Sequence, residues 1–481
     1  MLVGRVAFGL AALAVLAAGC ARYRPEPLSP AANAAALEKR TLADPRLRRF
    51  IAAGRRQDGA SPADPGWDLT ALTLAAVYFH PDLDVARARL AGARAAVITA
   101  RQHPNPLLDF RAIFDSAAVP GAITPGAPPL TIGPVINLIV ETFGKREYRS
   151  AKARRLAEAA RWDLATAGWQ VRRRVRAALL GLWAARQRIA LTRRRLELRR
   201  QLVGLLTRRL AVGAADALEV TRERIDRDKT AMALRDSEAA AAATTSELAA
   251  AIGIPAAALD GVRLSFGAFE RGDPLHSRLD ESELRRRALT GRTDIEAALA
   301  RYQSTQSALQ LAIAGQYPDL TLGPGYEYDA GVNKFGISPA AKLPIFNQHQ
   351  GQIAEAVASR RQAAVKFTAL QAQIITAIDA AVAAYHAARR AFATSDALLR
   401  AAARRDGQVA ASFRIGQVDR PTLVTAEIET ATVRLAQFGA LAGELQAVGA
   451  LEDAVQQPLF EPTTAFSVPP INPRRSPGQS S

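Results

Sequence analysis

Between Gly144 and Gly213 the chain holds no proline, and Val175, Leu182, Ile189, Leu196, Val203 and Leu210 recur at a strict spacing of seven. Ala178, Ala185 and Leu206 stand three residues after members of that series, so the apolar residues form a narrow seam. A seven-residue repeat keeps such a seam against a partner helix when the helices wind left-handedly around each other. Roughly 65 residues at 1.5 Å each make a rod of about 100 Å. Only an equally long partner covers such a rod, and the chain supplies one. Gly351 to Phe413 is also free of proline and carries Ile378, Tyr385, Phe392 and Leu399 at the same spacing.

The flanks of the two rods repeat as well. Val212-Gly213 is followed by Asp216, and Ile415-Gly416 by Asp419, with glycine and aspartate three residues apart in both. A glycine closing one helix and an aspartate capping the next make a compact helix–turn–helix signature. Upstream, Pro81-Asp82-Leu83-Asp84-Val85 leads to His103-Pro104-Asn105-Pro106-Leu107, and Thr293-Asp294-Ile295-Glu296-Ala297 leads to Tyr317-Pro318-Asp319-Leu320. The offsets are 212 (Asp82 to Asp294), 214 (Pro104 to Pro318) and 203 (Gly213 to Gly416). An internal duplication with small insertions and deletions, over about 69–253 and 282–457, accounts for all three.

The 481 residues carry a formal charge of +18, concentrated in the first rod, where 20 Lys and Arg face 4 acids between Gly144 and Leu210. A solvated helix with arginine stems lying over apolar neighbours, most of Arg172 to Arg209 pointing outward, explains this charge. Nucleic-acid binding needs stacking aromatics or a reading motif beside the basic residues, and this rod has no reading motif and only a few scattered aromatics, Trp162, Trp169 and Trp183 among them. Nucleic acid is therefore set aside as a partner.

Cys20 is the only cysteine, which excludes an intramolecular disulfide and a thiolate metal cluster. It ends a segment with Arg5 as its positive end and Val6 to Ala18 as its apolar run, too short to span a membrane and patterned as a secretory signal over 1–20. Leu16-Ala17-Ala18-Gly19-Cys20 resembles a bacterial lipobox, departing from it at Ala17. That resemblance implies lipid attachment at Cys20, and Ala21 after it implies delivery to the outer membrane. Ordinary signal cleavage nearby is the alternative.

A tether and linker over 21–68 reads as extended around Pro25, Pro27 and Pro30, with an amphipathic patch at Leu37 to Ile51. Asp68 reads as the cap of a helix over Leu69 to Phe79, and a second helix runs from Asp82 to about Gln102. From Pro104 the period changes. Leu108, Phe110, Ala112 and Phe114 alternate with Asp109, Arg111, Ile113 and Asp115, which predicts a strand. Leu130 to Phe143 predicts a second strand, and Leu320 to Asp329 with Val332 to Ile345 a second pair. About 10 to 13 residues is the length a tilted membrane strand needs. A small soluble sheet fits the strands equally well. Helices over Asp216 to Gly253 and Glu281 to Gly315 together match the length of the first rod, and Asp419 to Gln457 serves the second. The proline-rich tail, 458–481, reads as disordered.

In this order the motifs resemble the TolC-like outer-membrane efflux channel family, over roughly Leu69 to Gln457. Leu343-Pro344-Ile345-Phe346 before Gly351 resembles that family's strand-to-helix hinge, with Gly144-Lys145-Arg146 as its counterpart. The resemblance implies a mostly α fold with a small membrane β part, an α-barrel and β-barrel built from long coiled-coil helices and four strands per protomer, closed as a homotrimer in outer-membrane lipid. It implies an efflux conduit, with a periplasmic adaptor (membrane fusion protein) and an inner-membrane pump as partners. The turns at Gly213 and Asp216 and at Gly416 and Asp419 would form the periplasmic tip that docks the adaptor. Family acids of the constriction fall on Glu219, Thr422 and Thr425, so only Glu219 keeps a charge; Glu219 also suits the dipole of its own helix. The resemblance leans toward heavy-metal or drug efflux rather than protein secretion.

No catalytic motif, phosphate loop or cofactor signature is present, and His80, His103, His276, His349 and His386 lack metal-ligand spacing. The chain does not read as an enzyme. The competing class is a periplasmic coiled-coil scaffold lipoprotein without a pore.

Overall fold

The computed structural model describes residues 23–57, 66–114, 130–270, 272, 279–329 and 331–459. Cys20 with its signal segment, the linker from 58 to 65, the proline-rich loop before Leu130 and the tail from 460 lie outside the described residues. Residues through Thr41 form one unit, which holds α1 (Pro30–Glu38). The hydroxyl of Ser29 accepts from the N–H of Ala32 at 3.3 Å and caps that helix. The stretch read as an extended tether is thus partly helical. The patch from Leu37 to Ile51 also splits, because a new helix, α2 (Pro45–Gln57), begins in the second unit. Pro30 and Pro45 each open a helix, where their missing N–H has no partner to lose.

The second unit contains α3 (Leu69–Phe79), α4 (Pro81–Arg101), β1 (Leu107–Phe114), β2 (Leu130–Val140), α5 (Lys145–Ala211) and α6 (Ala217–Ile252), then the single turn α7 (Gly267–Glu270). It continues with α8 (Glu281–Gly291), α9 (Thr293–Ala314), β3 (Leu320–Asp329), β4 (Val332–Ala341), α10 (Gln350–Arg414) and α11 (Arg420–Val455). The rods α5 and α10 have 67 and 65 residues, so each is about 100 Å long. Their seams do what the heptads require: Val175, Leu182, Leu196, Val203, Ile378 and Tyr385 are buried, while Ile189, Leu210, Phe392 and Leu399 are half-buried. Within each half the rod packs on the helix after it, α5 on α6 and α10 on α11. Between the halves, α9 and α11 both cross to α5.

Where one helix was expected over Glu281 to Gly315 there are two. Arg292 breaks it with an extended backbone (ψ 137°). Its guanidinium donates to Asp294 and, at 2.6 Å, to the carbonyl of Ala454, so the break serves the end of α11. An arginine there satisfies carbonyls that a helix terminus leaves open.

The four strands form one antiparallel sheet in the order β1-β2-β3-β4. Phe110 stands opposite Pro134, Ile132 opposite Tyr328, Leu138 opposite Leu322, and Tyr326 opposite Phe335. Side chains alternate across a strand, so these residues share one apolar face. The other face carries Asp109, Arg111, Thr131, Asn137, Glu327, Asp329 and Lys334. Beneath the sheet, the largest core joins Leu72, Val77 and Phe79 to Val175, Leu179, Trp183, Leu248, Ile252 and Phe269. A second surrounds Ile378, Tyr385, Val448 and Leu451. A third lies near the two turns.

Candidate functional site

The turns are closed alike at their glycines. After α5, Gly213 takes φ +72°, its N–H donates to the carbonyl of Leu210, and the N–H of Ala214 donates to that of Arg209 at 2.8 Å. After α10, Gly416 takes φ +77°, its N–H donates to Phe413, and the N–H of Gln417 donates to Ser412 at 2.9 Å. This left-handed closure favours glycine because a side chain there meets its own carbonyl. Asp216 then caps α6, accepting from the N–H of Leu218 at 3.1 Å. Asp419 caps α11, accepting from the N–H of Thr422 at 2.9 Å and from its hydroxyl at 2.6 Å.

The turns are also joined. Arg209 donates to Asp419 at 2.5 Å, across the two halves of the duplication. With Thr422 as the largest cause and Arg209 assisting, the Asp419 carboxyl is held below the usual carboxylate range. Directly behind, Leu198, Leu202 and Leu206 pack with Val220, Val424 and Ile428. Of the three positions singled out for a constriction, Thr422 is committed to Asp419, and Thr425 donates back to the carbonyl of Pro421 at 2.9 Å. Glu219 is exposed in the first turn of α6.

At the other end of the rods, Gly144 takes φ +72° immediately before α5. Its counterpart before α10 is His349, at φ +62°, and not Gly351, which lies inside the first helical turn. The helices start 205 residues apart, which places His349 on Gly144; histidine is among the residues that tolerate this region. Pro344 stands in the exposed segment between β4 and α10. Lys145 crosses to the second half, donating to Asp319 at 2.7 Å and to the carbonyl of Tyr317 at 2.6 Å. Tyr317 stacks on Phe143 with ring centroids 3.9 Å apart. A cavity of about 730 Å³ opens beside this junction, between Lys145, Asp319, Lys342 and His349.

Sequence reasoning missed the charges buried inside the protomer. Arg172 and Arg176 point inward rather than to solvent, unlike most of their neighbours. Glu452, 1% exposed, accepts from Arg176 at 3.1 Å and from Arg172 at 3.4 Å, and takes the N–H of Leu459 at 2.8 Å. Glu444 is buried on the same helix, and Arg176 also donates to the carbonyl of Leu445 at 3.1 Å. Two charges out of water need this degree of pairing, because desolvation otherwise outweighs their attraction. The available signal was spacing: arginines four apart on α5 against acids eight apart on α11, each pair on one helical face.

Among the described residues no group of His, Asp and Glu is arranged to hold a metal. His80 caps α4, accepting from the N–H of Asp82 at 3.2 Å, and His386 meets Glu281 at 3.3 Å.

Paired helices of about 100 Å hang from a four-stranded sheet with one apolar face. Residues 76–254 match the family model for outer membrane efflux proteins. The cobalt-zinc-cadmium resistance protein CzcC of Cupriavidus metallidurans is 25% identical over 224 residues, covering 46% of this chain and 52% of CzcC. The chain thus aligns with about half the length of that curated relative. The outer membrane protein VceC of Vibrio cholerae shares the fold at a TM-score of 0.64 and 19% identity, over 80% of this chain and 95% of VceC. The CmeC channel of Campylobacter jejuni does so at 0.63 and 15%, over 91% and 94%. The open-state MtrE channel of Neisseria gonorrhoeae does so at 0.63 and 16%, over 80% and 88%. The chain thus shares the fold of these outer-membrane channels, and its residues 76–254 are similar to the outer membrane efflux protein family.

Proposed function

We propose that this chain is the outer-membrane component of a tripartite efflux system, a passive homotrimeric conduit from periplasm to exterior. The observation that carries this reading is the sheet: one face apolar, one polar, and β1 and β4 left as unpaired edges in the protomer. Lipid tolerates no open edge, because unpaired backbone groups there cost several kcal/mol each. Three copies joined β4 to β1 close twelve strands with the polar faces inward. The rods then descend into the periplasm, and the two turns meet the adaptor that links the channel to an inner-membrane pump. Three copies of Glu219 ring the axis at that tip and attract cations.

The cargo is a small molecule or ion. Similarity to a cobalt-zinc-cadmium resistance protein supports divalent metal ions over drugs, and a conduit needs no ligand set of its own. Cys20 carries the lipid anchor. Its test is the mass of the mature N-terminus: an unmodified cysteine there ends the anchoring reading, and Cys20→Ser accumulates precursor. The channel reading is tested with purified protein in planar bilayers. Discrete conductance steps from a trimer are expected. Trimers that never conduct would instead make the protein a periplasmic scaffold.

A further inference from the structure

The cavity beside Lys145 lies where the sheet gives way to the rods, and strand register fixes the side on which it opens. Ile139 stands opposite Thr321, and Thr321 opposite Ala340. All three line the cavity, and by alternation they share the polar face with Asn137, Glu327 and Lys334. Lys342, two residues beyond Ala340, continues on that face and lines the cavity as well. It is exposed and makes no ion pair among the described residues. Two lysines and His349 meet a single carboxylate there, that of Asp319, which Lys145 already engages at 2.7 Å. The start of α10 adds to the positive field. His349 gives it no side-chain cap, and Ile353 is the first residue whose N–H reaches a carbonyl of the turn, that of His349. The side-chain oxygens of Asn347 and Gln350 accept instead from the N–H groups of His349 and Gln348. An uncapped helix start favours anions. The remaining wall is apolar, with Ile139, Leu343, Phe346 and Tyr317, whose ring is fixed by its stack on Phe143.

We propose that this cavity is a binding site for an amphiphilic organic anion, a carboxylate or sulfonate on an apolar body. Lys342 and the first turn of α10 take the charged group, and Tyr317, Leu343 and Phe346 take the body. The volume of about 730 Å³ falls in the range of small-molecule sites, roughly 300 to 1,000 Å³. An inorganic anion would satisfy the lysine and leave the apolar wall in water, and a free divalent cation is repelled by the same charges. The position of the site in a lumen rests on the trimeric channel reading above. Closure of β4 onto the next β1 uses strand edges and leaves the polar face open. One site per protomer then rings the passage where barrel meets tunnel, and an occupant there narrows it.

The test uses the full-length protein in phosphatidylcholine nanodiscs, with empty nanodiscs as the blank and native mass spectrometry to show that each variant assembles as wild type does. Fluorescein, an aromatic dianion at mildly alkaline pH, is the probe, and rhodamine 6G is its cationic counterpart on the same ring system. Fluorescence anisotropy should show saturable binding of fluorescein and none of rhodamine 6G. Lys342→Gln should weaken fluorescein binding by about tenfold, and Lys342→Arg should retain it. Ala340→Trp should abolish it by filling the cavity with no change of charge. Arg154→Gln removes an exposed cation elsewhere and should change nothing. Benzoate should displace the dye at lower concentration than inorganic phosphate. In planar bilayers, fluorescein should reduce the current of wild type more than that of Lys342→Gln. No saturable binding, binding indifferent to Lys342, or equal binding of rhodamine 6G would overturn the site, and phosphate competing as well as benzoate would overturn the amphiphilic class. Binding as expected in a protein that never conducts would leave the site standing and overturn the channel reading; conduction without binding would do the reverse.

Discussion

A Cβ atom on Gly449 would lie 2.0 Å from Nη1 of Arg176. The missing side chain is the passage through which the guanidinium reaches Glu452 and the carbonyl of Leu445. Gly449→Ala should therefore displace Arg176 and leave Glu452 with Arg172 alone. Because Arg172 still faces Glu452, the cost should stay below the roughly 3–5 kcal/mol of losing a buried partner outright, read as a lower unfolding temperature. Gly443→Ala on the same helix meets nothing within 4 Å and should stabilise by about 0.5–1 kcal/mol, the ordinary gain over glycine inside a helix. Equal effects of the two substitutions would show that Gly449 is not a passage.

Asp453 stands beside this cluster, 3.9 Å from Arg173. Burial pushes its carboxyl up to about 6, Glu452 adds to the rise, and Arg173, Arg176 and Arg172 oppose it. The sign follows from linkage. A carboxyl harder to ionise in the folded chain weakens the fold when charged, so its penalty is full above pH about 6 and gone below its unfolded value near 3.9. Asp453→Asn should thus be more stable than wild type at pH 7.5, with the gap closing as pH falls from 6 to about 4. Thermal melts of both proteins across that range check it; a gap independent of pH would refute the assignment.

The parts legible in the sequence were those with a period or a punctuation mark. The heptad of Val175 to Leu210, the glycines at 213 and 416 and the caps at Asp216 and Asp419 stand close to where their patterns put them. So do the strand pairs, although β2 stops at Val140 and β4 at Ala341, short of Phe143 and Ile345. What stayed hidden depends on contacts between distant segments. Arg292 reads as one more helical residue until its guanidinium finds the end of α11. Gly351 suggests a hinge by residue type, but backbone conformation there is set by helix register, which selects His349. Arg172 and Arg176 resemble the other arginines of a solvated rod, and only the approach of α11 separates them.

The charge on α5 bears on permeation. Arg174 pairs with Asp82 at 2.9 Å, Arg193 with Glu238 at 2.7 Å, Arg199 with Glu223 at 2.8 Å, and Arg172 and Arg176 are buried. Most of the basic rod is thereby engaged locally instead of being free to line a lumen. The open channel should show at most a few-fold preference for anions, little changed between low and physiological salt, where screening lengths fall from about 30 to 8 Å. Strong anion selectivity in planar bilayers that collapses with added salt would place these arginines in the pore.

Gly213 and Gly416 offer the sharpest separation of the proposed tip from the sheet. Both are exposed, both have φ above +70°, and a Cβ on either would meet nothing within 4 Å. Substitution there is opposed by backbone conformation alone, by about 1–2 kcal/mol in the left-handed region and more for a β-branched residue. Gly213→Val and Gly416→Val should each shift the following N-cap, Asp216 or Asp419, and in the second case pull Asp419 away from Arg209. The sheet lies a whole rod away and shares no contact with either turn. The expected phenotype is therefore membrane-inserted trimers in normal amount, with adaptor cross-linking and efflux lost. Measuring both together decides the matter. Trimers that retain adaptor contact and full efflux in both variants would move the docking tip elsewhere on the chain.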